Sequence, residues 1–162
     1  RDWFKERLRA SGLCTYDVKA PREYIEACKS TSDKLSKVGG EDVYVFASPN
    51  EVDAYWEGGF VGEIRRGEDG RLILTLAKTY MGDPKEIERL GNELGISLSN
   101  CERVSFGEEV MCEVNNEGDL AKALTYSAIL DYTYNNPDLL IEYARKLELE
   151  EFKKLISGGG HG

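Results

Sequence analysis

The sequence predicts an α+β domain: a mainly antiparallel sheet of about five strands covered by helices, with two helices at the C-terminal end. Three observations carry that expectation. The run FVGEIRRGEDGRLILTLAKTY, residues 60–80, holds two alternating segments around a turn. A second alternating pair, residues 101–106 and 110–114, surrounds Gly107. Segments with helix-start residues and helical spacing stand on both sides of these pairs.

In the first pair, Leu72, Leu74 and Leu76 share one parity and Arg71 and Thr75 the other, the period of a strand with one buried face. Bringing Phe60 and Ile64 onto the leucine face requires a loop of odd length. The three residues Glu68-Asp69-Gly70 supply it, with Gly70 free to adopt the left-handed conformation that closes such loops. A slip of one residue would turn the leucine row to solvent.

Residues 1–12 read as an N-terminal docking helix closed by Gly12, with Trp3, Phe4 and Leu8 on one stripe. Leu13–Lys19 alternates weakly, as an edge strand does. Pro21 opens a helix to about Val38, with Ile25, Cys28, Leu35 and Val38 inward and Gly39-Gly40 at its end. Ser30-Thr31-Ser32 is a poor helix interior and marks a place for a break. VYVFA, residues 43–47, is a buried strand. Ser48-Pro49-Asn50-Glu51 has the form of a capping box and would open a short helix through Trp56; the alternative for residues 50–57 is a loop or an extended lead into the next strand. Asp83-Pro84-Lys85-Glu86 starts a helix with Ile87, Leu90 and Leu94 inward and Gly95 as its stop. A further helix runs from about Glu117 to Tyr134, and Asn136-Pro137 restarts a last one through Leu147. Residues 1–157 thus form a single domain, and 158–162 a flexible glycine tail.

With a helix at 49–57, this order of elements resembles a ferredoxin-like split βαβ unit with an added strand. Without it, helix, three strands, helix, two strands and helix resembles the secretion-chaperone-like arrangement, which implies a homodimer that binds another protein.

Composition narrows function mostly by exclusion. The net charge of −9 is uneven: +3 over residues 1–38, −11 over 39–120 and −1 over 121–162. An acidic middle argues against nucleic acid and favours a solvated acidic surface ahead of a basic protein partner. No apolar run approaches the ~20 residues of a membrane helix. Together these give a cytoplasmic protein with no membrane association. The chain opens on Arg1 rather than methionine, which leaves room for a targeting segment upstream. The absence of glutamine, beside plentiful Glu, Lys and Arg, leans towards a thermophilic source, a setting in which intracellular disulfides are less unusual.

His161, the single histidine, sits in the glycine tail, so catalysis or zinc binding through a positioned imidazole is not expected. Cys14, Cys28, Cys101 and Cys112 lack the two-residue spacing of metal or redox motifs. Grouping Glu102, Val104 and Phe106 with Val110, Cys112 and Val114 as one face would point Cys101 and Cys112 to opposite sides of the sheet, and the four read as small buried core residues. Gly58-Gly59-Phe60-Val61-Gly62 leads into a strand and lacks the context of a phosphate loop; it reads as a turn followed by a closely approached strand. The acidic run Glu108, Glu109, Glu113, Glu117 and Asp119 lacks the ligand alternation of a calcium loop.

No cofactor or metal is expected, and a catalytic role is not favoured. The leading expectation is a non-catalytic protein-binding or adaptor domain, acting as a homodimer. Its candidate interaction surface is Tyr126, Tyr132, Tyr134, Tyr143 and Trp3, since tyrosines have an apolar body and a polar tip. The alternative is a small-ligand-binding regulatory domain with a pocket between sheet and helices, where Trp56 or Phe60 stacks a planar ligand.

Overall fold

The structure, a computed structural model, describes residues 8–39, 42–76, 83–104, 106–107 and 109–133. It is α+β with a mostly antiparallel sheet, to which the described residues contribute eight strands rather than about five. The strands are β1 (Leu8–Ser11), β2 (Cys14–Asp17), β3 (Val43–Ala47), β4 (Glu51–Trp56), β5 (Gly59–Arg66), β6 (Leu72–Thr75), β7 (Leu98–Val104) and β8 (Glu109–Val114), in the spatial order β1-β2-β3-β4-β5-β6-β8-β7. The described helices are α1 (Arg22–Gly39), α2 (Pro84–Glu93) and α3 (Leu120–Thr133). The last expected helix, from Asn136-Pro137, and the glycine tail lie outside the described residues.

The central hairpin folds in the expected register. Ile64 pairs with Leu74 and Arg66 with Leu72, and Gly70 takes φ +85°. Leu72, Leu74 and Leu76 are all buried, as is Ile64. Their face carries the helices. Between them lies α3, buried almost all round through Leu120, Ala123, Leu124, Tyr126, Ala128 and Ile129. A helix apolar on every side belongs in the middle of a core.

Three elements differ from the sequence expectation. The first is the N-terminal segment, where residues 8–11 form a strand instead of the end of a helix. Leu8 pairs with Asp17 and Ser11 with Cys14, so Gly12, at φ +61°, turns a hairpin rather than capping a helix. The second is 49–57, which forms no helix. The Ser48 hydroxyl does accept from the Asn50 and Glu51 amides at 3.2 and 3.1 Å, the contacts of a helix cap. The Ser48 amide then donates to the Glu51 carbonyl at 2.8 Å, closing a turn, and the chain continues extended as β4. Val52, Ala54 and Trp56 bury one face of that strand. The third is α1, which has no break at Ser30-Thr31-Ser32; the Thr31 hydroxyl donates to the Ala121 carbonyl of α3 at 3.4 Å, so the small polar patch lets two helices approach.

The cysteines form two disulfides, Cys14–Cys28 and Cys101–Cys112, against the expectation of free core thiols. The parity argument failed at the assumed pairing. Val104 pairs with Glu109, Arg103 with Val110 and Glu102 with Met111, one residue out of step with the expected grouping, and this register continues to set Cys101 opposite Cys112. A bulge follows at Asn100, which takes φ +53°, a conformation asparagine tolerates better than most residues, and beyond it Ser99 pairs with Glu113.

Candidate functional site

The sheet face turned away from α1 and α3 gathers side chains that the sequence reading did not connect. Its rows follow from strand register, because residues paired across neighbouring strands project to the same side. One row is aromatic: Tyr44 pairs with Tyr55, and Tyr55 with Phe60. Their rings are 6.1 Å apart at each step, tilted in the first and edge-on in the second. Phe60 reaches this face through a second bulge. Ala54 pairs with Gly62 but Tyr55 pairs with Phe60, so Phe60 and Val61 both oppose Tyr55 and the alternation assumed for β5 breaks there.

Beside this row the surface dips into a solvent-open hollow of about 620 Å³ lined by Leu8, Thr15, Asp42, Tyr44, Phe46, Tyr55 and Gly58. The β1–β2 hairpin forms one wall. A two-residue turn, Glu57-Gly58, forms the rim, with both residues left-handed at φ 52° and 80° as such hairpin turns require. The glycine cluster is therefore a turn. Further along it Gly62 is closely approached: a Cβ there would come within 2.7 Å of the Ser127 hydroxyl.

The next row runs Phe46, Asp53, Glu63, Thr75, Met111 and Glu102 across six strands. With Glu51, two residues before Asp53 on the same face of β4, it concentrates acid. Carboxylate oxygens of Glu51, Asp53 and Glu63 lie within 4.8 Å of one another, each side chain half-buried. Burial raises the Asp53 carboxyl to about 8, helped by the hydrogen bond and charge of Glu51 and the charge of Glu63. Burial and Glu51 raise Glu63 to about 7, against the pull of Arg65, whose Nε lies 3.9 Å away. Burial and the same acids also raise the neighbouring Tyr55 hydroxyl.

The sequence-selected residues scatter. Tyr126 is fully buried and its hydroxyl donates to the Ile87 carbonyl at 3.1 Å, tying α3 to α2. Tyr132 is in the last turn of α3, and Trp3, Tyr134 and Tyr143 lie outside the described residues. Trp56 is 3% exposed in the core, so it and Phe60 do not share a pocket. The carboxylate trio went unread because residues 49–57 stood open between a short helix and a loop or extended lead. As a strand, Glu51 and Asp53 at a spacing of two would have signalled one acidic face.

The class the fold defines is an α+β domain with helices on one face of a mostly antiparallel sheet. No family model, curated protein or solved structure matches the chain. No helix among the described residues is long and apolar enough to cross a membrane.

Proposed function

We propose that the chain is a non-catalytic binding domain that takes a segment of a protein partner on its outer sheet face. The aromatic row beside the hollow is the observation that carries this reading. Tyr44 is 43% exposed although it sits in mid-sheet, and Phe46, Tyr55 and Phe60 keep part of their rings accessible. Such side chains give large contact area with little rotamer freedom to lose, which suits them to anchoring a partner. The hollow is open rather than enclosed, which suits a side chain presented by a chain better than a sequestered metabolite. The carboxylates next to it favour a segment that carries lysine or arginine beside an apolar anchor.

Two copies meeting through this face would oppose acid to acid. The homodimer expected from the terminal tyrosines is therefore proposed for another surface, and light scattering at micromolar concentration tests it. A cytoplasmic home agrees with two disulfides in the cytosol of a hyperthermophile, a source the missing glutamines also favour; in a mesophile the disulfides favour an oxidising compartment.

The test is amide NMR mapping with short peptides, one set basic and apolar, one acidic and apolar. The basic set is expected to shift Tyr44, Phe46, Tyr55 and Gly58, and Tyr44→Ala to weaken binding at least about tenfold. Shifts confined to other surfaces, or equal binding of both sets, would refute the proposal. A small-metabolite screen that raises the melting temperature by several degrees would favour the regulatory-pocket alternative instead.

A further inference from the structure

We propose that Glu51, Asp53, Glu63 and Thr75 form a binding site for one hard divalent cation of calcium size. The donors are all oxygens, the ligand set that calcium, magnesium and manganese prefer over softer metals. They come from three adjacent strands in fixed register: Glu51 and Asp53 on one face of β4, Glu63 directly opposite Asp53 on β5, and Thr75 directly opposite Glu63 on β6.

Acid alone would not make this a site. The second observation is Thr75, which is 4% exposed and whose hydroxyl oxygen has no hydrogen-bond partner. Asp53 Oδ1 is likewise buried and unpartnered. A buried oxygen without a donor is uncommon, because it forfeits its water contacts for nothing. Two of them on either side of Glu63 in one row, with Glu51 beside Asp53, are what a cation held between the strands would satisfy. A proton-sharing cluster would satisfy the carboxylates but would leave the threonine hydroxyl unexplained.

The preference for calcium follows from its tolerance of geometry. The trio's oxygens lie within 4.8 Å of one another, inside the reach of a single ion. Calcium accepts six to eight oxygens in irregular arrangements at about 2.3–2.6 Å, whereas magnesium demands a near-ideal octahedron at about 2.0–2.1 Å. Rigid paired strands resist the contraction magnesium would require, and water completes the shell on the solvent side. None of Glu51, Asp53, Glu63 and Thr75 lines the hollow, so cation binding does not depend on a peptide there; a bound cation would, however, offset the acid that favours a basic segment.

The test uses the whole chain after treatment with a chelator, titrated calorimetrically and melted with calcium chloride, magnesium chloride, or sodium chloride of equal ionic strength. One calcium per chain is expected, with a rise in melting temperature of about 4–8 °C at millimolar calcium and a smaller rise with magnesium. Asp53→Asn is expected to weaken calcium at least about tenfold. Thr75→Val is expected to weaken it about threefold or more while raising the melting temperature of the cation-free protein, since it removes an unpaired hydroxyl. No heat and no thermal shift with calcium would overturn the proposal. So would calcium binding unchanged in both variants, or a shift that sodium chloride of equal ionic strength reproduces.

Discussion

Removing the Cys14–Cys28 bridge, as the double variant Cys14→Ala/Cys28→Ala, tests how the N-terminal hairpin is held. β2 joins the sheet through three parallel pairs, Cys14 with Val45, Thr15 with Phe46 and Tyr16 with Ala47, and β1 hangs from β2. The disulfide adds a covalent tie from β2 to α1 across a separation of 14 residues. A loop of that length restricts the unfolded chain by about 3 kcal/mol. For a chain of this size that corresponds to a fall of about 6–12 °C in melting temperature. Circular dichroism of the oxidised parent and the variant measures it. Hydrogen exchange should show the loss concentrated in Leu8–Asp17, with β5 and β6 nearly unchanged, because the hairpin has few other anchors. The hollow loses a wall in the same step, so peptide affinity should fall with it. Four reactive thiols in the unfolded, unreduced parent would refute the reasoning at its root. A variant melting within about 2 °C of the parent would show that strand pairing alone holds the hairpin.

Gly62→Ala is expected to cost about 1–3 kcal/mol, because the new methyl would stand 2.7 Å from the Ser127 hydroxyl and 3.2 Å from Leu124 Cδ1 of the buried helix α3; urea unfolding measures it. In cation-free protein, stability is expected to be full below about pH 4 and to fall as pH rises to about 8: the folded-state values of about 8 for Asp53 and 7 for Glu63 exceed 3.8 and 4.5, so the folded state holds more protons throughout that window. Asp53→Asn should flatten that profile and stabilise the fold at pH 8. The full shift of Asp53 would be worth about 6 kcal/mol, and the half-exposed, solvent-screened position reduces this to about 1–2 kcal/mol. An unchanged pH profile in the variant would show that the three carboxylates do not interact.

What could be read from the sequence follows a physical division. Where burial and turn chemistry agree locally, as at Leu72–Leu76 with Gly70, register came out correctly. So did the start of α2, where Asp83 accepts from the Lys85 amide at 2.9 Å beside Pro84. Ser48 shows the limit of such signals. Its hydroxyl makes cap-like bonds whether helix or strand follows, so the four-residue pattern carries no information about what comes next, whereas the alternation Val52, Ala54, Trp56 did. Both bulges were illegible for a different reason. An extra residue at Asn100, or at Phe60 and Val61, changes the facing of everything on one side of it, and parity counting assumes no such insertion. The bulge in β5 hid the place of Phe60 in the aromatic row, while the disulfide was hidden by the pairing beside the turn, where Val104 stands opposite Glu109 and so Cys101 opposite Cys112. The carboxylate trio needed three strands placed side by side, and sequence proximity reveals only the pair on β4.

The central position of α3 has a consequence for how the protein comes into being. Translation delivers every described strand before Leu120 emerges, yet the leucine face those strands share has this helix as its filling. Until then the nascent sheet holds an apolar layer open to water, a sticky state that ribosome-associated chaperones must shield. A nascent chain held with residue 115 just clear of the ribosomal tunnel should therefore be protease-sensitive and aggregation-prone, and protection should arrive abruptly once this pillar slides into place.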